Sequence, residues 1–182
     1  MSNLVNYDEL KKTDFFQFFN LHEMQIIRKS ELNDLTYIEL ETGGFQEFIN
    51  IKLYINNERN IQKAELIMDR SWIGNAENIN PFGKDIAKSF IYTMTPLDEK
   101  EKIESLSHYL WMLKGLNDNI ISIKNKKNDY DDPTISEMEF IDVYRNLLPK
   151  AEFKLEDSSF FVENINIDEK EKLIIIWKVI DI

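Results

Sequence analysis

The sequence predicts an α+β protein, one domain over residues 1–182, in which long antiparallel hairpins form a sheet and helices pack against it. Three observations carry that expectation. Ile49, Ile51, Leu53 and Ile55 alternate with Asn50, Lys52, Tyr54 and Asn56, the period of a strand with one buried face. Ile103, Leu106, Leu110 and Leu113 recur at helical spacing. Leu173, Ile174, Ile175, Ile176, Trp177, Val179 and Ile180 are apolar on both strand faces, the pattern of a strand in the middle of a sheet with a layer on each side. A chain of 182 residues, 43% of them hydrophobic, buries enough apolar surface to need no staple, and it has no cysteine with which to make one. Both halves are acidic, and no stretch rich in Gly, Pro and Ser divides them.

Taken in order, residues 7–20 read as a helix with Asn6 as its cap and Glu9 completing a capping box. At about 100° per residue, Phe15, Phe16, Phe18 and Phe19 form one broad apolar stripe with Gln17 opposite. The plain structural reading is that this stripe packs on the sheet; the functional one makes Phe15 and Phe19 part of a partner-binding face. Strands follow over residues 23–29 and 35–41, separated by polar residues 30–34 and closed by Gly43 and Gly44. Residues 48–56 and 61–69 make a long hairpin, turning at Asn57–Asn60, with Ala64, Leu66 and Met68 on one face of the return strand.

Residues 70–83 read as a loop, rich in Gly, Pro and Asn, before a helix over residues 84–94. In the next helix Thr95 is the expected cap, Pro96 sits in the first turn, and Gly115 ends it. A short strand is expected over residues 119–123. Thr134 and Glu137 form a capping-box pattern opening a helix to Leu148, stopped by Pro149. The chain closes with strands over residues 160–167 and 173–181, joined by a turn at residues 168–171.

The net charge of −11 argues against nucleic acid and anionic membranes, whose binding draws on clustered Lys and Arg. The one dense basic run, residues 124–127, is followed at once by Asp129, Asp131 and Asp132. The N-terminal residues interleave Asp8, Glu9, Lys11, Lys12 and Asp14 with apolar ones, unlike a signal peptide, and no apolar run is long enough to span a bilayer. The expectation is a soluble cytoplasmic protein whose surplus charge favours a basic protein partner.

Searches for chemistry return little. His22 and His108 belong to no ligand-spaced pattern, and a catalytic imidazole needs an orienting carboxylate. The adjacent pair Gly43–Gly44 precedes no helix, so no phosphate loop is read there. Asp129, Asp131 and Asp132 lack the glycine bend of a calcium loop, and Glu137 is better explained as a cap. No catalytic residue, metal site or cofactor is therefore assigned. The binding candidates are Arg70, Trp72, Asn75 and Asn80 on the segment after the hairpin, since rigidly held loops carry sites and Trp and Arg anchor interfaces. Trp72 and Phe82 folding back on the core is the plain alternative. The leading expectation is a non-enzymatic protein-binding module, of the inhibitor or immunity type, acting on a basic partner. The alternatives are a small-molecule binder with a pocket between sheet and helices, and a carboxylate-dependent enzyme.

Overall fold

The first four strands pair in sequence order, each antiparallel to the last: β1 (His22–Arg28), β2 (Thr36–Glu41), β3 (Ile49–Ile55) and β4 (Ile61–Asp69). This is a computed structural model, and it describes residues 5–28, 35–112 and 134–180. The expected strand at residues 119–123, the helix stop at Gly115, the basic run 124–127 and the aspartates 129, 131 and 132 lie outside the described residues.

Two very short helices precede the sheet, α1 (Tyr7–Leu10) and α2 (Asp14–Phe18). They replace the single helix expected over residues 7–20. Thr13 breaks it, because its side chain accepts the Phe16 N–H and so caps a new helix. Asn6 does cap the first, accepting from Asp8 N–H, but Glu9 turns to Lys12 at 2.7 Å and makes no capping box. The break also breaks the stripe. Phe15 is buried, Phe16 and Phe19 are half-buried, and Phe18 is 81% exposed.

After β4 the chain leaves the sheet. The expected loop is ordered as the helical turn α3 (Arg70–Ile73) and a two-residue ladder, β5 (Gly74–Asn75) with β6 (Asn78–Ile79). Helix α4 (Pro81–Met94) then starts three residues before the expected point, with Asn80 as its cap and Pro81 at its first position. Thr95 is not the cap of the following helix. Its hydroxyl donates back to the Ile91 carbonyl at 2.8 Å, closing α4. A 3₁₀ turn (Leu97–Glu99) leads into α5 (Lys100–Met112), where Ile103, Leu106 and Leu110 are fully buried, as the spacing requires.

Helix α6 (Ile135–Tyr144) opens with the expected capping box: Thr134 accepts from Glu137 N–H, and Glu137 accepts from Thr134 N–H. It stops at Tyr144, short of Leu148, and Asn146 with φ 65° reverses the chain. A strand absent from the sequence reading follows, β7 (Lys150–Lys154). Then come β8 (Ser158–Ile167) and β9 (Lys170–Val179), joined by a tight turn in which Asp168 and Glu169 both have positive φ.

The seven strands make one antiparallel sheet in the order β1-β2-β3-β4-β9-β8-β7. It consists of two meanders that meet where β9 pairs with β4. The last strand therefore holds the interior position its sequence predicts. Among the described residues, a layer on each side is not what surrounds it. Across the sheet Leu53, Ala64, Trp177, Phe160 and Phe153 form one cross-strand row, all buried. Helix residues Phe90, Ile103, Leu106, Phe140 and Ile141 join that same core. Ile174 and Ile176 point the other way and are only half-buried, so among the described residues the helices cover one face. Among the described residues the sheet is one of two layers, and the fold is α+β.

Candidate functional site

The segment that leaves β4 is organised by two buried charged side chains. Asp69 caps α3, accepting from Ser71 N–H at 3.0 Å and Ser71 Oγ at 2.6 Å, and pairs with Lys172 at 3.0 Å across the sheet. Burial alone raises the pKa of a carboxyl, but the hydrogen bonds from Ser71 and Lys172 more than offset it and hold Asp69 below its ordinary range. Arg70 points inward. Its guanidinium donates to the carbonyls of Gly74 (2.9 Å), Tyr144 (2.6 Å) and Val143 (3.2 Å), and to Asn164 Oδ1. The last carbonyls of α6 thus receive a cation at the negative end of the helix dipole. Desolvation pushes the Arg70 pKa down to about 10. Arg70 serves as an internal pin that fixes α3 to the end of α6.

What that pin holds outward is aromatic. Trp72 stacks on Phe48, with ring centroids 5.8 Å apart and planes 3° from parallel. Phe45 lies 5.2 Å from Trp72 and 5.7 Å from Phe82. Phe45 is 47% exposed and Phe82 58%. Phe45 also has φ 62°, the left-handed region that an aromatic residue rarely occupies. It is held there by local backbone bonds: its carbonyl accepts from Phe48 N–H at 2.9 Å and Ile49 N–H at 3.2 Å. Strain kept at an exposed aromatic residue is a feature of functional loops.

The proposed site residues therefore divide. Trp72 and Asn80 come together, with Asn80 Nδ2 donating to the Trp72 carbonyl at 3.1 Å, and both line a shallow groove of about 460 Å3 beside Phe45 and Phe82. Arg70 and Asn75 line a neighbouring polar pit of about 660 Å3 with Glu47 and Glu171, where Asn75 Oδ1 accepts from Glu77 N–H. Phe15 and Phe19 lie elsewhere. Phe15 is a core residue against Phe90 and Phe19, and Phe18 is the exposed ring of that helix. Sequence reasoning passed over Phe45. The available signal was its place directly after Gly43–Gly44, where an apolar residue stands outside any strand.

Of the two histidines, His22 does meet a carboxylate. Its Nε2 lies 3.1 Å from Glu41 Oε2 and its Nδ1 3.3 Å from the Asn20 carbonyl, across the β1–β2 pair. The pair is on the surface, with half of the imidazole exposed, and among the described residues no nucleophilic side chain is hydrogen-bonded to it. Among the described residues no three His, Asp or Glu side chains converge as a metal site would need, and no helix is long and apolar enough to cross a membrane. No protein family matches the sequence, and neither a curated protein nor a solved structure is significantly similar to the chain.

Proposed function

We propose that the chain is a non-enzymatic protein-binding module that presents the Phe45–Trp72–Phe82 face to a basic partner, as an inhibitor of such a protein would. The supporting observation is the strained, exposed Phe45 in contact with the exposed Phe82. A ring in that conformation contributes little to the core and costs on the order of 1 kcal/mol of backbone strain. Its retention is economical if the ring contacts a partner. Aromatic anchors dominate binding energy, and a net charge of −11 steers a basic protein toward the surface.

The test separates binding from folding. Phe45→Gly relieves the backbone strain, so the variant should melt at or slightly above the wild-type temperature. Combined with Phe82→Ser it should lose the partner. Affinity capture from the source cells with wild type and the double variant, in low and high salt, checks this. The expected result is a basic protein retained by wild type only, with association that slows as salt rises. Equal capture by the double variant, or an acidic partner indifferent to salt, overturns the reading.

A further inference from the structure

Beside its buried faces, helix α4 offers a line of side chains to solvent. Phe82, Asp85 and Ser89, three and four places apart, fall on one side of the helix, while Ile86, Ala87, Phe90 and Ile91 are buried. Phe82 and Ser89 lie about 20° apart around the axis and about 10 Å apart along it. Each end of the line meets a different patch. Phe82 touches Phe45. Ser89 borders a groove of about 480 Å3 whose other walls are Asp14, Phe15, Gln17, Phe18 and Phe19. No large apolar side chain among the described residues is more exposed than Phe18. The backbone ties the two patches together, since the Phe19 carbonyl accepts from Gly43 N–H at 3.0 Å, two residues before Phe45. Glycine permits that approach: a Cβ on residue 43 would stand 2.7 Å from Asn20 Cβ. Phe45, Phe82 and Phe18 thus frame one face that runs along α4.

Two carboxylates stand on this face. Asp85 lies between the ends of the line and Asp14 borders the Phe18 groove; neither makes an ion pair or a side-chain hydrogen bond among the described residues. Of the nearby lysines, Lys88 sits about 100° round the axis from Ser89, on the side of α5, and Lys12 is paired with Glu9 at 2.7 Å. On the reading that the aromatic face seats a basic protein, we propose that this partner docks with an amphipathic helix laid along α4. One of its apolar side chains seats against Phe45 and Phe82, another two turns on seats against Phe18, and Lys or Arg between them faces Asp85 and Asp14. Spacing selects the helix. Residues seven apart in a helix lie on one side and about 10 Å apart, the separation of Phe82 from Ser89, and helices crossing at about 20° keep that register. An extended strand covers the distance in about three residues, and residues three apart face opposite ways.

Fluorescence anisotropy with a labelled, alanine-based helical peptide of about four turns tests the docking mode. The peptide carries leucine at two positions seven apart, with lysine three and four places after the first. It should bind saturably. Moving the second leucine to the neighbouring position, about 100° round the helix, should weaken binding about tenfold or more, as should exchanging the lysines for glutamates. Phe18→Ser should weaken the original peptide about tenfold at unchanged melting temperature, because so exposed a ring supports no core. No saturation overturns the proposal, as does equal binding of either altered peptide or undiminished binding by Phe18→Ser. The aromatic face itself is read separately, by capture with Phe45→Gly and Phe82→Ser. Capture lost in that double variant but kept in full by Phe18→Ser leaves the aromatic face standing and removes the helix along α4.

Discussion

Arg70 and Asp69 are adjacent in sequence and illustrate opposite uses of a buried charge. Among the described residues Arg70 has no carboxylate partner within hydrogen-bond reach; it is stabilised by carbonyls and the negative end of α6. Arg70→Met should therefore deprive the Tyr144 and Gly74 carbonyls and Asn164 Oδ1 of their guanidinium donor, Val143 keeping the Asn146 N–H and Asn164 Nδ2, and cost roughly 3 kcal/mol in urea denaturation. Arg70→Lys should recover little, because one ammonium cannot span three carbonyls and an amide. Asp69 depends on pH. It titrates lower in the folded protein than in the unfolded chain, so its contribution is complete above the ordinary aspartate pKa of 3.8 and is lost as pH falls through the lower folded value. Asp69→Asn should accordingly be less stable than wild type at pH 7 and converge with it in strong acid, as read from urea midpoints between pH 7 and 2. The sequence marked Arg70 as a candidate for a binding site. It could not mark Arg70 as a pin, since its partners Val143, Tyr144 and Asn164 lie more than 70 positions away.

Among the elements, what could be read from the sequence depended on how local the determining contacts were. The capping box of α6 joins residues three apart, and it stands as expected. Replacing Thr134 by Ala should cost about 1 kcal/mol, measurable as a lower melting temperature with an unaltered transition slope. Thr13 and Thr95 have hydroxyls of the same kind, and there the competition between donor and acceptor roles went otherwise. Thr13 starts a helix inside an apolar stripe, while Thr95 finishes the helix behind it. The β8–β9 turn offers a second measurement. Asp168 and Glu169 have φ values of 49° and 64°, which glycine and asparagine adopt with less strain. Asp168→Asn with Glu169→Gly should raise stability by roughly 0.5–1 kcal/mol, and a loss would show that these side chains make contacts outweighing their strain. Strand β7 escaped notice because Lys150, Glu152 and Lys154 leave only Ala151 and Phe153 apolar, as befits a short charged edge.

At the scale of the molecule, β4 and β9 are the hinge of the architecture: their pairing joins two meanders formed from opposite ends of the chain. Their amides should be among the last to exchange with deuterium, and those of β1 and β7, at the edges, among the first within the sheet. Trp177 is fully exposed to the consequences of truncation, being wholly buried between Ala64 and Phe160 in the central row. Trp177→Ala should cost about 3–5 kcal/mol and shift the whole transition. Exchange in β9 as fast as at the edges would contradict the order of strands described above.

The sequence by itself determined the fold class, the β3–β4 hairpin, the interior place of β9 and the stripe of α5, because alternation and helical spacing are local records of which face is buried. Tertiary structure alone decided that the apolar back of β9 faces no helix among the described residues, that residues 70–80 fold into a turn and a small ladder, and that Phe45 meets Trp72 and Phe82. Each of these depends on partners distant along the chain. Periodicity tells a residue which side it takes; it does not say what arrives on that side, and the candidate sites here are built from such arrivals.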